Sequence, residues 1–301
     1  MANITAQMVK DLREKTSAGM MDCKKALTAT DGNMEEAVTW LRERGIAKAV
    51  KKEGAVAAEG LCSYAIKGNK CVLFELNSQT DFVAQNAKFT DLLATVGEIL
   101  VNSDAKCTEC ALKVESNGKN LETIILEASG VIGEKISLRR VTVLEKTDAQ
   151  VFGAYKHMGG RIVSVVIVDG NDEAVAKDVA MHIAALSPKY VSKNDIPADV
   201  IAKEREVILA AALNENATSA KPKPENIIAE RIVPGRLDKN LKEICLLSQA
   251  FVKNPDQTVE AYVKGAKSAV VTFVRLEVGE GIEKVETDFA AEVAAQSAQF
   301  N

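Results

Sequence analysis

At 301 residues and 47% hydrophobic composition, the chain has material for two or three domains with a substantial core, which excludes an intrinsically disordered polymer. Lys+Arg 38 against Asp+Glu 42 leaves a formal charge of -4, so no basic footprint for a phosphate backbone exists and nucleic acid is disfavoured as a direct ligand. No basic start with an apolar core and small-residue cleavage site opens the sequence, and no apolar run reaches membrane-spanning length, so a cytoplasmic protein with no membrane role is expected.

The first segment reads as three short helices. Thr5 can cap a helix with Met8, Val9 and Leu12 on one face, and Ser17-Ala18-Gly19 breaks it before a second helix bearing Met20, Cys23 and Leu27. Asp31-Gly32-Asn33 is the next break, with Asn33 and Glu36 forming a capping pair ahead of Ala37, Val38 and Leu41. Gly45 is the expected stop, and the charged stretch from Lys48 to Gly54 reads as a linker. So small a unit suits docking better than catalysis. Adjacent Met20 and Met21 point about 100° apart on a helix, so one of them should be exposed. Arg13, Lys24, Lys25, Lys51 and Lys52 have a bland reading as solvated face and linker charges.

Strands follow. Leu61 to Ile66 and Lys70 to Leu76 flank Gly68-Asn69, a two-residue hairpin turn. The run Glu75-Leu76-Asn77-Ser78-Gln79-Thr80-Asp81-Phe82-Val83 carries the second strand into a helix expected to begin near Thr80, with Ser78 three residues before Asp81 as a capping-box signal, and to run to about Val101. Phe89, Leu92, Leu93, Val96, Ile99 and Leu100 mark its apolar face, and Phe82, seven residues before Phe89, falls on nearly the same face. Periodicity thus favours a buried Phe82, and Asp81 reads plainly as an acid at a helix start. A helix at Leu121 to Ala128 and a strand at Ile136 to Leu144 complete an α+β layer.

The same order recurs. Val151 to Tyr155 and Ile162 to Val168 form a second hairpin around Gly159-Gly160, followed by a helix with Val175, Val179, Ile183 and Leu186 and a closing strand at Val270 to Val278. Two related subdomains are expected. Helices at Val200 to Leu213 and Ile227 to Leu237, joined through Pro222 and Pro224, are inserted as an antiparallel hairpin. His157, beside Met158-Gly159-Gly160, reads on its own as a turn-adjacent polar residue.

Cys23, Cys62, Cys71, Cys107, Cys110 and Cys245 are spread through apparent helices and strands, the pattern of buried free thiols in a reducing compartment. Cys107-Thr108-Glu109-Cys110 could suggest a thiol or zinc protein, but a structural zinc needs four ligands and no second paired motif is present. A Gly-rich phosphate loop and a nucleophile elbow are both absent, so neither bound nucleotide, cofactor nor covalent catalysis by this chain is expected.

Asn77-Ser78-Gln79-Thr80-Asp81-Phe82-Val83 resembles the second signature of the bacterial elongation factor Ts family. Leu12-Arg13-Glu14-Lys15-Thr16-Ser17-Ala18-Gly19-Met20-Met21-Asp22-Cys23-Lys24-Lys25-Ala26-Leu27 resembles the first. The closing stretch Arg275-Leu276-Glu277-Val278-Gly279-Glu280-Gly281-Ile282-Glu283-Lys284-Val285-Glu286-Thr287-Asp288-Phe289-Ala290 is similar to the family's C-terminal end. The resemblance implies a guanine-nucleotide exchange factor whose partner is elongation factor Tu, GDP-bound or nucleotide-free. It implies that Thr80, Asp81, Phe82 and Val83 dislodge Mg²⁺ from the partner, with an outward Phe82 as an apolar wedge. Arg13, Met20, Met21, Lys24, Lys52, Ile132, Gly133, His157, Val252 and Lys253 are the implied contact positions, although Lys253 stands where an apolar residue is usual. The expected architecture is a three-helix, UBA-like domain with linker at 1–55, core subdomains at 56–148 and 149–278 with the hairpin at about 195–240, and a C-terminal helical module at 279–301. In the family the hairpin is a protruding coiled coil linked to self-association, which sedimentation would check here. A scaffold that binds without changing nucleotide state is the competing reading.

Overall fold

The computed structural model describes residues 4–282 apart from residues 17, 53 and 220. The fold is α+β. The chain divides into two compact units: one holds the described residues up to Ala65, Val72–Val143 and those from Glu277 onward, and the other holds Ile66–Cys71 and Leu144–Leu276.

The first unit opens with helices α1 (Ala6–Thr16), α2 (Met20–Ala29) and α3 (Met34–Lys51). Their core is Val9, Leu12, Cys23, Ala26, Leu27 and Ala37. Asn33 caps α3 by accepting from the Glu35 and Glu36 amides, as its position predicts. Gly45, however, does not stop α3, which continues to Lys51 and takes in the start of the expected linker. The glycine serves contact instead: a Cβ on Gly130 would lie 2.6 Å from the Gly45 carbonyl, so two bare backbones meet there.

Strands β1 (Glu59–Lys67) and β2 (Lys70–Ser78) form the hairpin, turning at Gly68 with φ 57°. After β2 come α4 (Asp81–Ala84), α5 (Ala87–Val101), α6 (Thr108–Leu112), the short strands β3 (Glu115–Ser116) and β4 (Lys119–Asn120), α7 (Leu121–Ile132) and β5 (Ser137–Glu145). The sheet order is β1-β2-β5. Val72, Phe74 and Leu76 from β2 pack against Phe89, Leu92, Leu93, Val96 and Leu100 of α5.

The second unit repeats the plan with β6 (Gln150–His157), β7 (Ile162–Asp169) and α8 (Glu173–Leu186). Helices α9 (Ala198–Ala217), α10 (Glu225–Ile227) and α11 (Val233–Ile244), strands β8 (Ala250–Phe251) and β9 (Asn254–Thr258), α12 (Val259–Gly265) and β10 (Ala269–Glu277) follow. The sheet order is β10-β7-β6, so in both units the late strand lies beside the second strand of the hairpin. β6 and β7 are antiparallel in register from Gln150↔Asp169 to His157↔Ile162.

The inserted helices run antiparallel: Arg236 pairs with Glu215 at 2.7 Å, and Asn240 donates to Glu204 at 3.0 Å, so later residues of α11 meet earlier ones of α9. Between α10 and α11 the helix widens into a π-turn at Ile228–Ile232 rather than running smoothly. Pro234 has no N–H to continue the α pattern there, and the wider turn accommodates the lost bond. No helix among the described residues is long and apolar enough to cross a membrane. The helical module expected beyond Gly279, including Thr287, Asp288 and Phe289, lies outside the described residues except for its first few.

Candidate functional site

Phe82 does not join the α5 stripe. Its side chain is 81% exposed, the most exposed of the large hydrophobic residues described. The expected single helix is two: α4 ends after one turn at Ala84, Gln85 closes it, and Asn86 caps α5 by accepting from the Lys88 amide. That break resets the helical phase, so seven-residue spacing no longer carries Phe82 onto the face of Phe89. Val83 and Ala84, on the other side of the turn, are buried in the core with Phe89 and Val96. The ring thus projects from a turn whose opposite face is fixed.

The cap also lies later than the sequence suggests. Thr80, not Ser78, caps α4, with its Oγ1 accepting from the Val83 amide at 3.4 Å. Ser78 is buried and donates to the Thr80 carbonyl at 2.9 Å. Thr80 is held further by Glu134: its amide donates to Oε2 at 3.0 Å and its hydroxyl to Oε1 at 2.7 Å. Charge-assisted bonds of this kind are roughly twice as strong as neutral ones. Glu134 reaches Thr80 because Gly133 ends α7 in the left-handed region, φ 90°, which turns the chain where a side chain would be strained. Lys52, just past α3, donates its ammonium to the Gly133 carbonyl.

Thr80, Asp81, Phe82, Lys52 and Gly133 are therefore brought together from three segments, with Ile132 half-buried at the end of α7. Glu134 was missed by sequence reasoning, since a polar residue after a helix-ending glycine looks like any solvated turn residue. Gly19 and Thr16 line the same cavity of about 710 Å³ as Lys52, Gly133 and Trp40. Met20 and Met21 are both exposed, at 59% and 65%, where only one was expected to be. Arg13 and Lys24 are exposed on α1 and α2.

In the middle of β2, the strand that leads into this turn, Glu75 is a fully buried acid. Arg139 Nη1 donates to it at 3.0 Å, Arg140 through Nε, Asn77 at 2.9 Å and the Gly279 amide at 2.8 Å. A buried carboxylate needs such a full set of donors. The arrangement ties the chain after β10 to the central strand of the first sheet.

His157, Val252 and Lys253 lie in the second unit. His157 is exposed at the end of β6 and stacks on Tyr155 with ring centroids 6.1 Å apart. Val252 is 41% exposed in the β8–β9 turn, and Lys253 pairs with Asp178 at 2.5 Å. The turn is set by the buried His182, whose Nδ1 accepts the Val252 amide at 3.1 Å while Nε2 meets Gln249 Oε1 at 2.9 Å. Burial holds the His182 pKa below its ordinary value, so the neutral ring that can accept this amide is favoured.

Of the six cysteines, Cys23, Cys62, Cys71 and Cys245 are free and buried as expected. Cys107 and Cys110 are not: they are exposed and joined in a disulfide. The described residues contain no cluster of three or more His, Cys, Asp or Glu that could hold a metal.

The family profile described as Elongation factor TS matches residues 79–280. The chain is 53% identical over 294 residues to "Elongation factor Ts" of Acholeplasma laidlawii (strain PG-8A), covering 97% of this chain and 98% of that protein. It is 52% identical over 295 residues to "Elongation factor Ts" of Spiroplasma citri, with the same coverage of 97% and 98%.

Proposed function

The chain belongs to the elongation factor Ts family and is a translation elongation factor, and from that premise we propose that it binds elongation factor Tu and promotes release of GDP without making or breaking a covalent bond. The exposed Phe82 on an anchored turn is the observation that carries this reading. Release follows from differential binding: a protein that holds the nucleotide-free partner more tightly than the GDP-bound one must, by linkage, weaken the partner's hold on GDP by the same factor.

Phe82 is the apolar wedge and Asp81 the acid beside it, with Val83 as anchor and Thr80 as clamp. They act near the partner's Mg²⁺ site, where the ion bridges phosphate oxygens and is a major stabiliser of bound GDP. A wedge works only if it does not yield on contact. The Thr80–Glu134 bonds and the buried Val83 and Ala84 supply that stiffness. Met20 and Met21 offer soft, exposed surface suited to docking, with Arg13, Lys24, Lys52, Ile132 and Gly133 as further contacts. His157, Val252 and Lys253 supply contacts from the second unit, although Lys253 already has Asp178 as its ion-pair partner.

The test is release of fluorescent GDP from elongation factor Tu on mixing with this chain. Accelerated release is expected; binding of the two proteins with an unaltered release rate would establish a scaffold instead.

A further inference from the structure

The surface of the first unit carries a second chemistry, remote in kind from nucleotide exchange. Cys107 and Cys110 are both exposed, three positions apart, with Cα atoms 5.2 Å apart, and are joined as a disulfide. That separation lies within the range a disulfide requires, so bonding needs no rearrangement of the backbone. The pair stands at the start of α6, and the Cys110 amide donates to Cys107 Sγ at 3.1 Å. Its seat is firm: Ala111 is fully buried in the sheet-and-helix core, and the Thr108 hydroxyl donates to the Arg139 carbonyl at 3.3 Å.

We propose that Cys107 and Cys110 form an exchangeable dithiol/disulfide site that reacts with low-molecular-weight thiols and disulfides. In the dithiol form, the Cys107 thiolate is the nucleophile, because the Cys110 amide proton stabilises charge on its sulfur. It attacks one sulfur of a small disulfide, the S–S bond of that molecule breaks, and one thiolate leaves. The Cys110 thiolate then attacks Cys107 Sγ in the mixed disulfide, forming the Cys107–Cys110 bond and expelling the second thiolate. Two electrons pass from the protein to the small molecule, which becomes two thiols as the cysteine protons are transferred to it. A small thiol in excess runs the same steps backwards.

The other cysteines provide an internal control. Cys23, Cys62, Cys71 and Cys245 are wholly buried, and burial pushes Cys62 and Cys71 up to about 12, so neither access nor thiolate character favours their reaction. Selectivity therefore comes from position, not from cysteine content.

The experiment uses the full-length chain equilibrated in buffers of reduced and oxidised glutathione, quenched by alkylation and read by peptide mass spectrometry. In oxidising buffer, the wild-type chain should lose two alkylatable thiols, both in the peptide spanning Cys107 and Cys110, and regain them in reducing buffer. Cys110→Ser should trap glutathione on Cys107, whereas Cys107→Ser should react with oxidised glutathione on the order of tenfold more slowly at Cys110. The proposal is overturned if the wild-type pair stays reduced in oxidised glutathione, if a buried cysteine reacts first, or if the two serine variants react equally fast. Both substitutions are at exposed positions, and the wild-type measurement decides the matter even if a variant is poorly folded.

Discussion

The two sheets share one plan and differ in what leaves their central strand. In the first, β2 ends in Ser78 and the chain enters a single turn that thrusts Phe82 into solvent. In the second, β7 ends in Asp169, and Asp172 caps α8 directly by accepting from the Ala174 and Val175 amides, with no aromatic residue in the connection. The second sheet shows that a β-strand, turn and helix of this kind can be closed with a polar cap alone. An exposed ring in the first is therefore no requirement of the fold; it costs solvation and returns nothing within the chain. The architecture is duplicated, and the feature to which we assign function is not.

The central strands differ in the same way. β2 holds Glu75 at full burial with arginine donors, while β7 holds the buried Ser164, whose hydroxyl donates to the Ala180 carbonyl at 2.6 Å. Glu75→Gln should be the largest stability loss, about 3 kcal/mol by urea unfolding, because it takes the buried counter-charge from Arg139 and leaves Arg140 only the exposed Glu280. Ser164→Ala should cost only about 1 kcal/mol. Equal losses would mean that Glu75 is not a keystone of the first sheet.

His182 sharpens the contrast through pH. Its pKa is depressed by burial, so the unfolded chain takes up a proton before the folded one does. The contribution is intact above the ordinary histidine value and is lost as pH falls from there through the lower folded value. His182→Gln should be less stable than wild type near pH 7.5, by roughly 2 kcal/mol from loss of the Val252 amide's acceptor. The gap should narrow below about pH 6. A constant gap in melting experiments across this range would show that His182 does not titrate as a buried neutral ring.

Smaller still is the effect expected from Glu134→Gln, which keeps the shape but weakens the clamp on Thr80. Release of GDP should slow by about threefold, or roughly 0.7 kcal/mol, with little loss of stability. No change would mean that the Phe82 turn is stiff without Glu134.

Much of the scaffold is legible in the sequence because it depends on local chemistry. Gly68 supplies the positive φ that a two-residue hairpin needs, Asn33 caps the helix it precedes, and the apolar stripe of α5 falls where its spacing predicts. The failures involve partners distant in sequence, a change of phase, or exposure that composition does not report. Gly45 looks like a helix stop because its reason for being glycine, Gly130, lies on another helix. The buried state of Glu75 depends on donors 64 and 204 positions away. Periodicity puts Phe82 on the buried face, and the break at Gln85 and Asn86 interrupts that periodicity. The pairing of Cys107 with Cys110 departs from the favoured reading of buried free thiols, since exposure at a loop end is not visible from composition.

The proposed exchange activity centres on the exposed ring, and truncating that ring is its sharpest trial. Stopped-flow release of fluorescent GDP from elongation factor Tu should be at least about tenfold slower with Phe82→Ala than with the wild-type chain, equivalent to roughly 1.4 kcal/mol of lost coupling, while the melting temperature stays unchanged because so exposed a ring adds little to its own fold. Release by Phe82→Ala at the wild-type rate would contradict the wedge.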